Sequence, residues 1–303
     1  MPVEHPVFLI FGQPGICKTS LSYSATDPLL LDFDKGAHRS VNRRDTLVID
    51  SWPDVVELDA KVLDPYATIV VDTVGRALDI ITADIVLTDP KKAPGGNLSM
   101  QGWGVLKTRF RTWMASLRAL GKDVLLIAHD KEDKDGDMRI VRPEIVGGSY
   151  GEVMKLSDFV GYLYMNGRDR VLDFNPTDRW IGKNPGAWPP FKVPPVAKAT
   201  TFVAELIDRG RDTLGHISDT SAQIMHQVET WRTKIASLTM AAQLNDQIPL
   251  IKALGPTLQP QAAKLLMNRG EALKCAFDRA AKVFTTPHVE RPPTVGAGLG
   301  DLI

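Results

Sequence analysis

The segment at residues 12–19, GQPGICKT, constrains this chain more than any other feature. It fits the phosphate-loop pattern G-x-x-x-x-G-K-[ST] at every fixed position except Cys17, which stands in place of glycine. The apolar run at residues 7–11 predicts a buried strand before the loop, and residues 19–23 can begin a helix after it. Strand, loop and helix therefore follow in the order that a phosphate-binding loop requires. An ordinary Gly-Pro turn is the alternative.

The chemistry of such a loop comes from its backbone and from two side chains. Small residues let the backbone amides surround phosphate groups, and the start of the next helix adds partial positive charge. Lys18 supplies a cation for the outer phosphates, and the Thr19 hydroxyl can coordinate Mg²⁺. ATP and Mg²⁺ are therefore the predicted cofactors. The residues predicted to hold the nucleotide are Gly12, Gln13, Pro14, Gly15, Ile16, Cys17, Lys18, Thr19 and Ser20.

Cys17 is the departure from the pattern. If the loop holds this residue at positive φ, its side chain costs about 1–2 kcal/mol and its bulk can crowd the phosphates. We therefore expect Cys17→Gly to tighten ATP binding. A thiol beside Lys18 and a helix start can also be reactive, and a merely tolerated substitution is the alternative.

Carboxylates follow two further strand-like runs. The run at residues 68–71 ends at Asp72, which can hold Mg²⁺ opposite Thr19, although many such residues only cap a helix. Threonine follows Asp72, so a carboxylate that activates water must come from elsewhere. Alternation along residues 29–33 places Asp32 and Asp34 on one side of the strand. We predict Asp34 as the activating group because it is nearer the strand end, with a solvated strand end as the alternative.

A third run, at residues 124–128, ends at His129, predicted to sense the terminal phosphate unless it is merely structural. The charged segment that follows it, up to residue 147, looks mobile, and a second long polar segment occupies residues 88–97. Long loops in a compact domain tend to be functional or disordered.

Composition narrows the class of protein. The chain has 303 residues with 36 basic and 36 acidic side chains, so any contact with DNA must come from local patches. Its two cysteines form no disulfide framework, which suits a reducing compartment. Neither a signal peptide nor a membrane-spanning run is expected, so we predict a cytoplasmic protein with no membrane partner.

Apolar runs separated by helical or loop segments predict an α/β fold with a mainly parallel sheet. The predicted strands are residues 7–11, 29–33, 46–49, 68–71 and 124–128, followed by a hairpin of 159–165 and 171–174 and by a short strand at 180–182. The predicted helices are residues 105–120, 199–209, 221–238, 241–254 and 261–284. The predicted domains are a core at 1–190, a Pro-rich linker at 191–198, a helical C-terminal domain at 199–286 and a flexible tail at 287–303.

The order of these parts resembles the RecA/RadA recombinase core. The sequence is more similar to phage-encoded RecA-like ATPases of the single-strand annealing type, through LDFDKGAHRS, VVDTVGR, LIAHDKEDKDGD and LDFNPTDRWIGKNP. This resemblance spans about residues 5–190 and implies a RecA-like P-loop NTPase core followed by a C-terminal helical region. It implies an ATPase stimulated by DNA, acting in phage or prophage recombination in the cytoplasm of a bacterial host. The implied catalytic residues are Lys18, Asp34, Asp72 and His129, with Thr19 and Asp72 at the metal.

The resemblance also implies partners. Residues 88–102 and 130–147 would correspond to two DNA-facing loops, and single-stranded DNA would be the ligand. The candidate phosphate contacts are Lys91, Lys92, Lys131, Lys134, Arg139 and Arg142. Further copies of the chain in a ring or filament, and a single-strand-binding or replication protein, would be protein partners. Two alternatives keep the ATPase core: a replication motor or helicase loader, and a nucleotide-gated scaffold that scarcely hydrolyses.

Overall fold

The computed structural model describes residues 5–135 and 138–286. Internal contacts divide the chain into two compact units, Met1–Ile217 and Ser218–Ile303. The predicted tail at 287–303 lies outside the described residues. Within the described part of the chain, no helix combines the length and the apolar character needed to cross a membrane.

The first unit is built on a mixed sheet with helices. Its strands are β1 (Val7–Gly12), β2 (Pro28–Asp32), β3 (Thr46–Val48), β4 (Thr68–Asp72), β5 (Asp123–Asp135), β6 (Met138–Pro143), β7 (Phe159–Asn166), β8 (Asp169–Asp173) and β9 (Phe191–Val193). Its helices are α1 (Lys18–Ser22), α2 (Trp52–Val56), α3 (Ala60–Leu63), α4 (Val74–Thr88), α5 (Met100–Ala119) and α6 (Tyr150–Leu156). A longer helix, α7 (Phe202–Ala236), runs from this unit into the second.

Strand order explains how distant parts of the chain meet. The order is β3-β2-β4-β5-β1-β7-β8-β9, with β6 paired to β5, and neighbours from β3 to β7 are parallel. The predicted α/β fold with a mainly parallel sheet is therefore confirmed. Register places Gly12 beside His129, and Asp32 beside Asp72. Because parallel strands end at one edge of the sheet, the polar residues after β1, β2, β4 and β5 collect there.

The central strands are buried on both faces, which is why they read as continuous apolar runs. Val7, Leu9 and Phe11 contribute to one buried cluster, whereas Phe8 and Ile10 contribute to the other. The first turns of α7 cover this second face. Both layers therefore hold the sheet, and with it the edge that carries the polar residues.

The segment after His129 differs from its prediction as a mobile loop. Strand β5 continues to Asp135 and pairs antiparallel with β6, with Lys131 opposite Arg142. The ladder of backbone hydrogen bonds in this hairpin orders a segment whose charges suggested mobility. Its tip at 136–137 lies outside the described residues. We call this element the β5–β6 hairpin.

Two predictions beyond this point have different outcomes. The β7–β8 hairpin is confirmed, with residues 167–168 at its turn. The short strand predicted at 180–182 is wrong, because this stretch makes only isolated bridges from Trp180 to Val141 and from Lys183 to Val160. A few backbone hydrogen bonds to Val141 and Val160, not a continuous ladder, hold this stretch.

The structure also divides the chain later than the sequence suggested. Part of the proline-rich stretch at 191–198 forms strand β9, and the Phe191 ring packs 5.8 Å from that of Trp188. Val203, Leu206 and Ile207 of α7 are buried in the first unit. Apolar residues between and after the prolines thus attach this stretch and the start of α7 to the sheet.

The second unit contains α8 (Ala241–Lys252), α9 (Gln259–Ala272), β10 (Ala276–Asp278) and β11 (Val283–Thr285). The C-terminal helical region is thus present. The helices predicted at 199–209 and 221–238 are one helix, α7, because the intervening glycines cost only about 1 kcal/mol each. The helix predicted at 261–284 stops at Ala272, and Lys274 has φ 56° before a hairpin begins. Phe284 on that hairpin joins the buried cluster of this unit.

Candidate nucleotide-binding site

The geometry of residues 12–19 explains the glycines of the motif. A Cβ added to Gly12 would lie 2.3 Å from the carbonyl oxygen of Leu163 on β7, so no larger residue fits there. Gly15 has φ 78°, a left-handed conformation that L-residues adopt at a cost. Both glycines are therefore required by the backbone geometry of the loop.

Cys17 occupies the same kind of conformation. Its φ of 73° and ψ of 30° are left-handed, and it lies at the N-cap of α1 without a side-chain cap. The positive φ considered from the sequence is thus present. The Cys17 thiol lies 3.7 Å from the Gly15 carbonyl oxygen, and Arg170 Nη2 lies 3.7 Å from Cys17 Sγ.

Lys18 is folded back onto the loop. Its Nζ donates to the carbonyl oxygens of Gly12 at 2.6 Å and Gln13 at 2.9 Å. Burial lowers the pKa of Lys18 to about 8, and the nearby Asp72 carboxylate opposes this shift. The ammonium is therefore held inside the loop, where a phosphate can replace its carbonyl partners.

Thr19 and Asp72 are joined directly, since Thr19 Oγ1 donates to Asp72 Oδ2 at 2.6 Å. Burial raises the pKa of Asp72 to about 6, and the hydrogen bond from Thr19 opposes the shift. A bound cation would relieve the desolvation of this carboxylate. A hydroxyl and a carboxylate are hard oxygen donors of the kind that Mg²⁺ prefers, so the pair fits the predicted metal.

The two acidic residues near the end of β2, Asp32 and Asp34, have different surroundings. Asp32 is buried and accepts hydrogen bonds from the backbone amides of Gly36 at 3.1 Å and Ala37 at 2.9 Å. Asp34 faces the site, with one oxygen 3.4 Å from His129 Nε2 and the other 3.5 Å from Arg76 Nε. Of these two residues, Asp34 lines the cavity and Asp32 does not. The catalytic role of Asp34 stays a prediction.

His129 lies beside the loop because its strand, β5, pairs with β1. Its Nδ1 is buried and has no hydrogen-bond partner among the described residues. With Nε2 near Asp34, the imidazole is placed to respond to charge or water at that carboxylate. The β5–β6 hairpin continues directly from this residue.

These residues enclose one cavity of about 300 Å³. Ile16 does not line this cavity but is buried in the core. Gly12 and Gln13 do not line it either, but their carbonyl oxygens accept hydrogen bonds from Lys18, which does. The lining comprises Pro14, Gly15, Cys17, Lys18, Thr19, Ser20, Asp34, Gly36, Arg39, Ser40, Asp72 and His129. The structure thus brings together the predicted metal and catalytic residues and six of the nine predicted nucleotide residues.

Sequence reasoning missed Arg39 and Ser40, which lie in the cavity, and Arg170, which lies beside its loop. The motif LDFDKGAHRS already contained the first two, five and six positions after Asp34. Arg170 carried no local signal. A second cavity, of about 360 Å³ and lined by apolar residues such as Trp52 and Trp113, contains none of the predicted site residues. The convergence of polar groups, rather than size, identifies the site.

The candidate DNA contacts are mostly neutralised by neighbours. Lys92 pairs with Asp89 at 2.8 Å in the turn Pro90–Lys92, where Lys91 is exposed. On the β5–β6 hairpin, Lys131 lies 3.8 Å from Asp133 and Arg139 lies 3.4 Å from Glu132. Arg142 also pairs with Asp133, and its guanidinium lies over the ring of Tyr150. Lys134 is described only by its backbone pairing with Arg139. Their role in DNA binding stays a prediction.

Comparison with known proteins agrees with this geometry. Residues 4–185 match a family model described as an AAA domain, AAA_24. A curated relative, the SPbeta prophage-derived uncharacterized protein YorG of Bacillus subtilis (strain 168), is 27% identical over 195 residues, which are 60% of this chain and 57% of YorG. The chain thus spans a little over half the length of that relative.

Among solved structures, the KaiC-like protein PH0186 of Pyrococcus horikoshii OT3 is similar at 12% identity with a TM-score of 0.34. That alignment covers 57% of this chain and 85% of PH0186. The family match includes the phosphate loop, Asp34, Asp72 and His129. The chain belongs to the AAA_24 family of AAA domains, a family of P-loop ATPases.

Proposed function

We propose that this protein binds Mg·ATP and hydrolyses it to ADP and phosphate. The observation that carries the proposal is the direct hydrogen bond of 2.6 Å between Thr19 and Asp72 at the end of the phosphate loop. In this arrangement Lys18 neutralises the outer phosphates, and Thr19 and Asp72 hold the metal. Phosphate oxygens would replace the carbonyl partners of the buried Lys18 ammonium, and a cation would offset the charge of the buried Asp72 carboxylate.

Asp34 is the proposed activator of water. It faces the same cavity as Lys18 and Asp72 and lies 3.4 Å from His129. His129 would report the occupancy of the site to the β5–β6 hairpin, because it lies at the base of that hairpin. Asp34 and His129 therefore divide the tasks of proton acceptance and signalling.

Steady-state hydrolysis with matched variants tests these roles. Asp34→Asn is expected to lower kcat by about 10²–10⁴-fold while Mg·ATP still binds, because a general base contributes on that scale. Lys35→Gln, which removes an exposed neighbour paired with Asp50, is the control and should retain turnover. Equal kcat for Asp34→Asn and the wild type would exclude Asp34 as the base.

We further propose that hydrolysis is coupled to single-stranded DNA in phage or prophage recombination. The prophage origin of the relative supports this context. The hairpin that continues from His129 and the turn that carries Lys91 are the proposed contact segments, in an oligomer of this chain. Because most of the cations there are already paired with carboxylates, DNA affinity should be modest and lost in salt.

The assay for this coupling is ATP turnover with and without single-stranded DNA, together with oligonucleotide retention at low salt and oligomer size. Stimulation of turnover and retention of DNA would support the proposal. An ATPase rate indifferent to DNA, with no retention, would leave the ATPase in place and reject the recombination role.

One observation favours a second role, as a motor or helicase loader acting on a protein. Residues 130–143 contain five carboxylates and four basic side chains, so the β5–β6 hairpin is slightly acidic. Such a hairpin suits a basic protein surface better than a phosphate backbone. Pull-downs with host replication proteins would distinguish this role from DNA binding, and single-turnover hydrolysis would identify a scaffold that scarcely turns over.

A further inference from the structure

Arg170 lies beside the phosphate loop although it is 153 residues away from Cys17 in sequence. Gly12 at the end of β1 pairs with Leu163 of β7, whereas Arg170 pairs with Met165 farther along the β7–β8 hairpin. This hairpin therefore extends past the end of β1, where the phosphate loop begins. Its side chains can reach the loop from the flank opposite the one formed by β5.

The surroundings of Arg170 leave its guanidinium poorly satisfied. Nη2 approaches Cys17 Sγ at 3.7 Å, and sulfur is a weak acceptor. Nε is buried and has no hydrogen-bond partner among the described residues. The adjacent carboxylate, Asp169, is paired with Lys192 at 2.8 Å. A guanidinium with a buried donor left over is suited to an acceptor that is not part of the protein.

The charge around the loop indicates which acceptor. Lys18 is close to three carboxylates, those of Asp34, Asp72 and Asp130. A polyanionic ligand entering this site meets those carboxylates, with Arg39 as a cation in the lining, on the flank of β2, β4 and β5. Arg170 provides positive charge on the opposite flank, that of β8. Planar guanidinium groups donate two parallel hydrogen bonds to phosphate oxygens, which a lysine does not.

We infer that Arg170 is a nucleotide-binding residue that donates hydrogen bonds to a phosphate group held by the loop. The inference rests on the proposed binding of Mg·ATP. If Arg170 binds the phosphate in this way, the Cys17 side chain can replace glycine without blocking the site. Its thiol lies against the Arg170 guanidinium, and the guanidinium and the loop bind the same phosphate group.

The test compares Arg170→Gln with Arg168→Gln, which removes an exposed arginine from the turn of the same hairpin. Dissociation constants for Mg·ATP and Mg·ADP are measured by calorimetry at several salt concentrations. Arg170→Gln should weaken both by about tenfold or more, since it removes a charge-assisted hydrogen bond. Arg168→Gln should stay within about twofold of the wild type because exposed charges contribute little.

Salt dependence distinguishes a direct contact from a structural role. If Arg170 touches the nucleotide, affinity of the wild type should fall more steeply with salt than that of Arg170→Gln. Arg170→Lys should restore part of the affinity and the steeper salt dependence. The inference would be overturned if the Mg·ATP affinities of the wild type and Arg170→Gln fell equally steeply with salt. It would also be overturned if the two affinities were equal.

Thermal unfolding without nucleotide checks that the variants are folded. Should Arg170→Gln unfold, Arg170→Met carries the comparison, because its apolar end leaves no polar group at the buried position. A wild-type protein that does not bind Mg·ATP would reject the proposed function itself. Wild-type binding with unchanged affinity in the folded variant would reject only the role of Arg170.

Discussion

The substitution Cys17→Gly tests how backbone strain is distributed in the phosphate loop. Cys17 has φ 73° and ψ 30°. A left-handed conformation costs an L-residue about 1–2 kcal/mol, whereas glycine loses about 0.5–1 kcal/mol more backbone entropy on folding. The net expectation is a gain in unfolding free energy of about 0.5–1 kcal/mol, or about 1–4 °C in Tm for a unit of this size.

If the loop keeps this conformation with and without ATP, relief of the strain should raise Tm and leave the nucleotide affinity unchanged. The tighter ATP binding expected from the sequence would then come only from removal of the thiol. Cys17→Ala separates the two effects, since it removes Sγ and keeps a Cβ at positive φ. If crowding by the thiol matters, both variants should bind ATP more tightly, and only Cys17→Gly should melt higher.

Gly15→Ala is the matched control, because it should change the unfolding free energy in the opposite direction to Cys17→Gly. Gly15 has φ 78°, and a Cβ there would meet no atom within 4 Å, so the substitution adds strain without a steric clash. We expect it to lose about 0.5–1 kcal/mol of stability by the same arithmetic. The assays are thermal and urea unfolding without nucleotide, and calorimetric titration with Mg·ATP. A lower Tm for Cys17→Gly alongside an unchanged Tm for Gly15→Ala would refute the reasoning.

Three further outcomes are expected. Gly12→Ala should lose about 2–4 kcal/mol in urea unfolding, because its Cβ would lie 2.3 Å from the Leu163 carbonyl oxygen; wild-type stability would contradict this close approach. Burial raises the pKa of Asp72 to about 6, so its contribution to stability is present at low pH and lost as pH rises through about 6. Asp72→Asn should therefore be more stable than the wild type above pH 6, by up to about 3 kcal/mol without nucleotide, while losing Mg·ATP affinity; equal stability at pH 8 would contradict it. Chelation of Mg²⁺ by EDTA should abolish ATP turnover and added Mg²⁺ should restore it, whereas turnover that persists in EDTA would exclude the metal role of Thr19.

Much of the candidate site could be predicted because its signals are local. A strand, a glycine-containing loop and a Lys-Thr pair are contiguous, and each later strand ends in its own polar residue. The choice of Asp34 over Asp32 was a matter of position in the sequence. Its physical reason is also local, since the Asp32 carboxylate accepts hydrogen bonds from the backbone amides of Gly36 and Ala37, a few residues farther along the chain.

Other features depended on partners that sequence patterns do not reveal. The segment after His129 looked mobile because of its charges, but pairing with β6 makes it a hairpin. The helix expected to reach residue 284 ends at Ala272, because the burial of Phe284 in a hairpin outweighs helical propensity. Local preference decides an element only where tertiary contacts do not oppose it.

The sequence by itself determined that strand, phosphate loop and helix follow one another, and which residue types stand at the strand ends. The tertiary structure alone decided that Arg170 reaches the thiol of Cys17, and that the cations of the β5–β6 hairpin face carboxylates. The reason is physical: a backbone loop and a strand end are specified by neighbours along the chain. The partner of a charged side chain is specified by strand order and register, which bring together residues that are far apart in sequence.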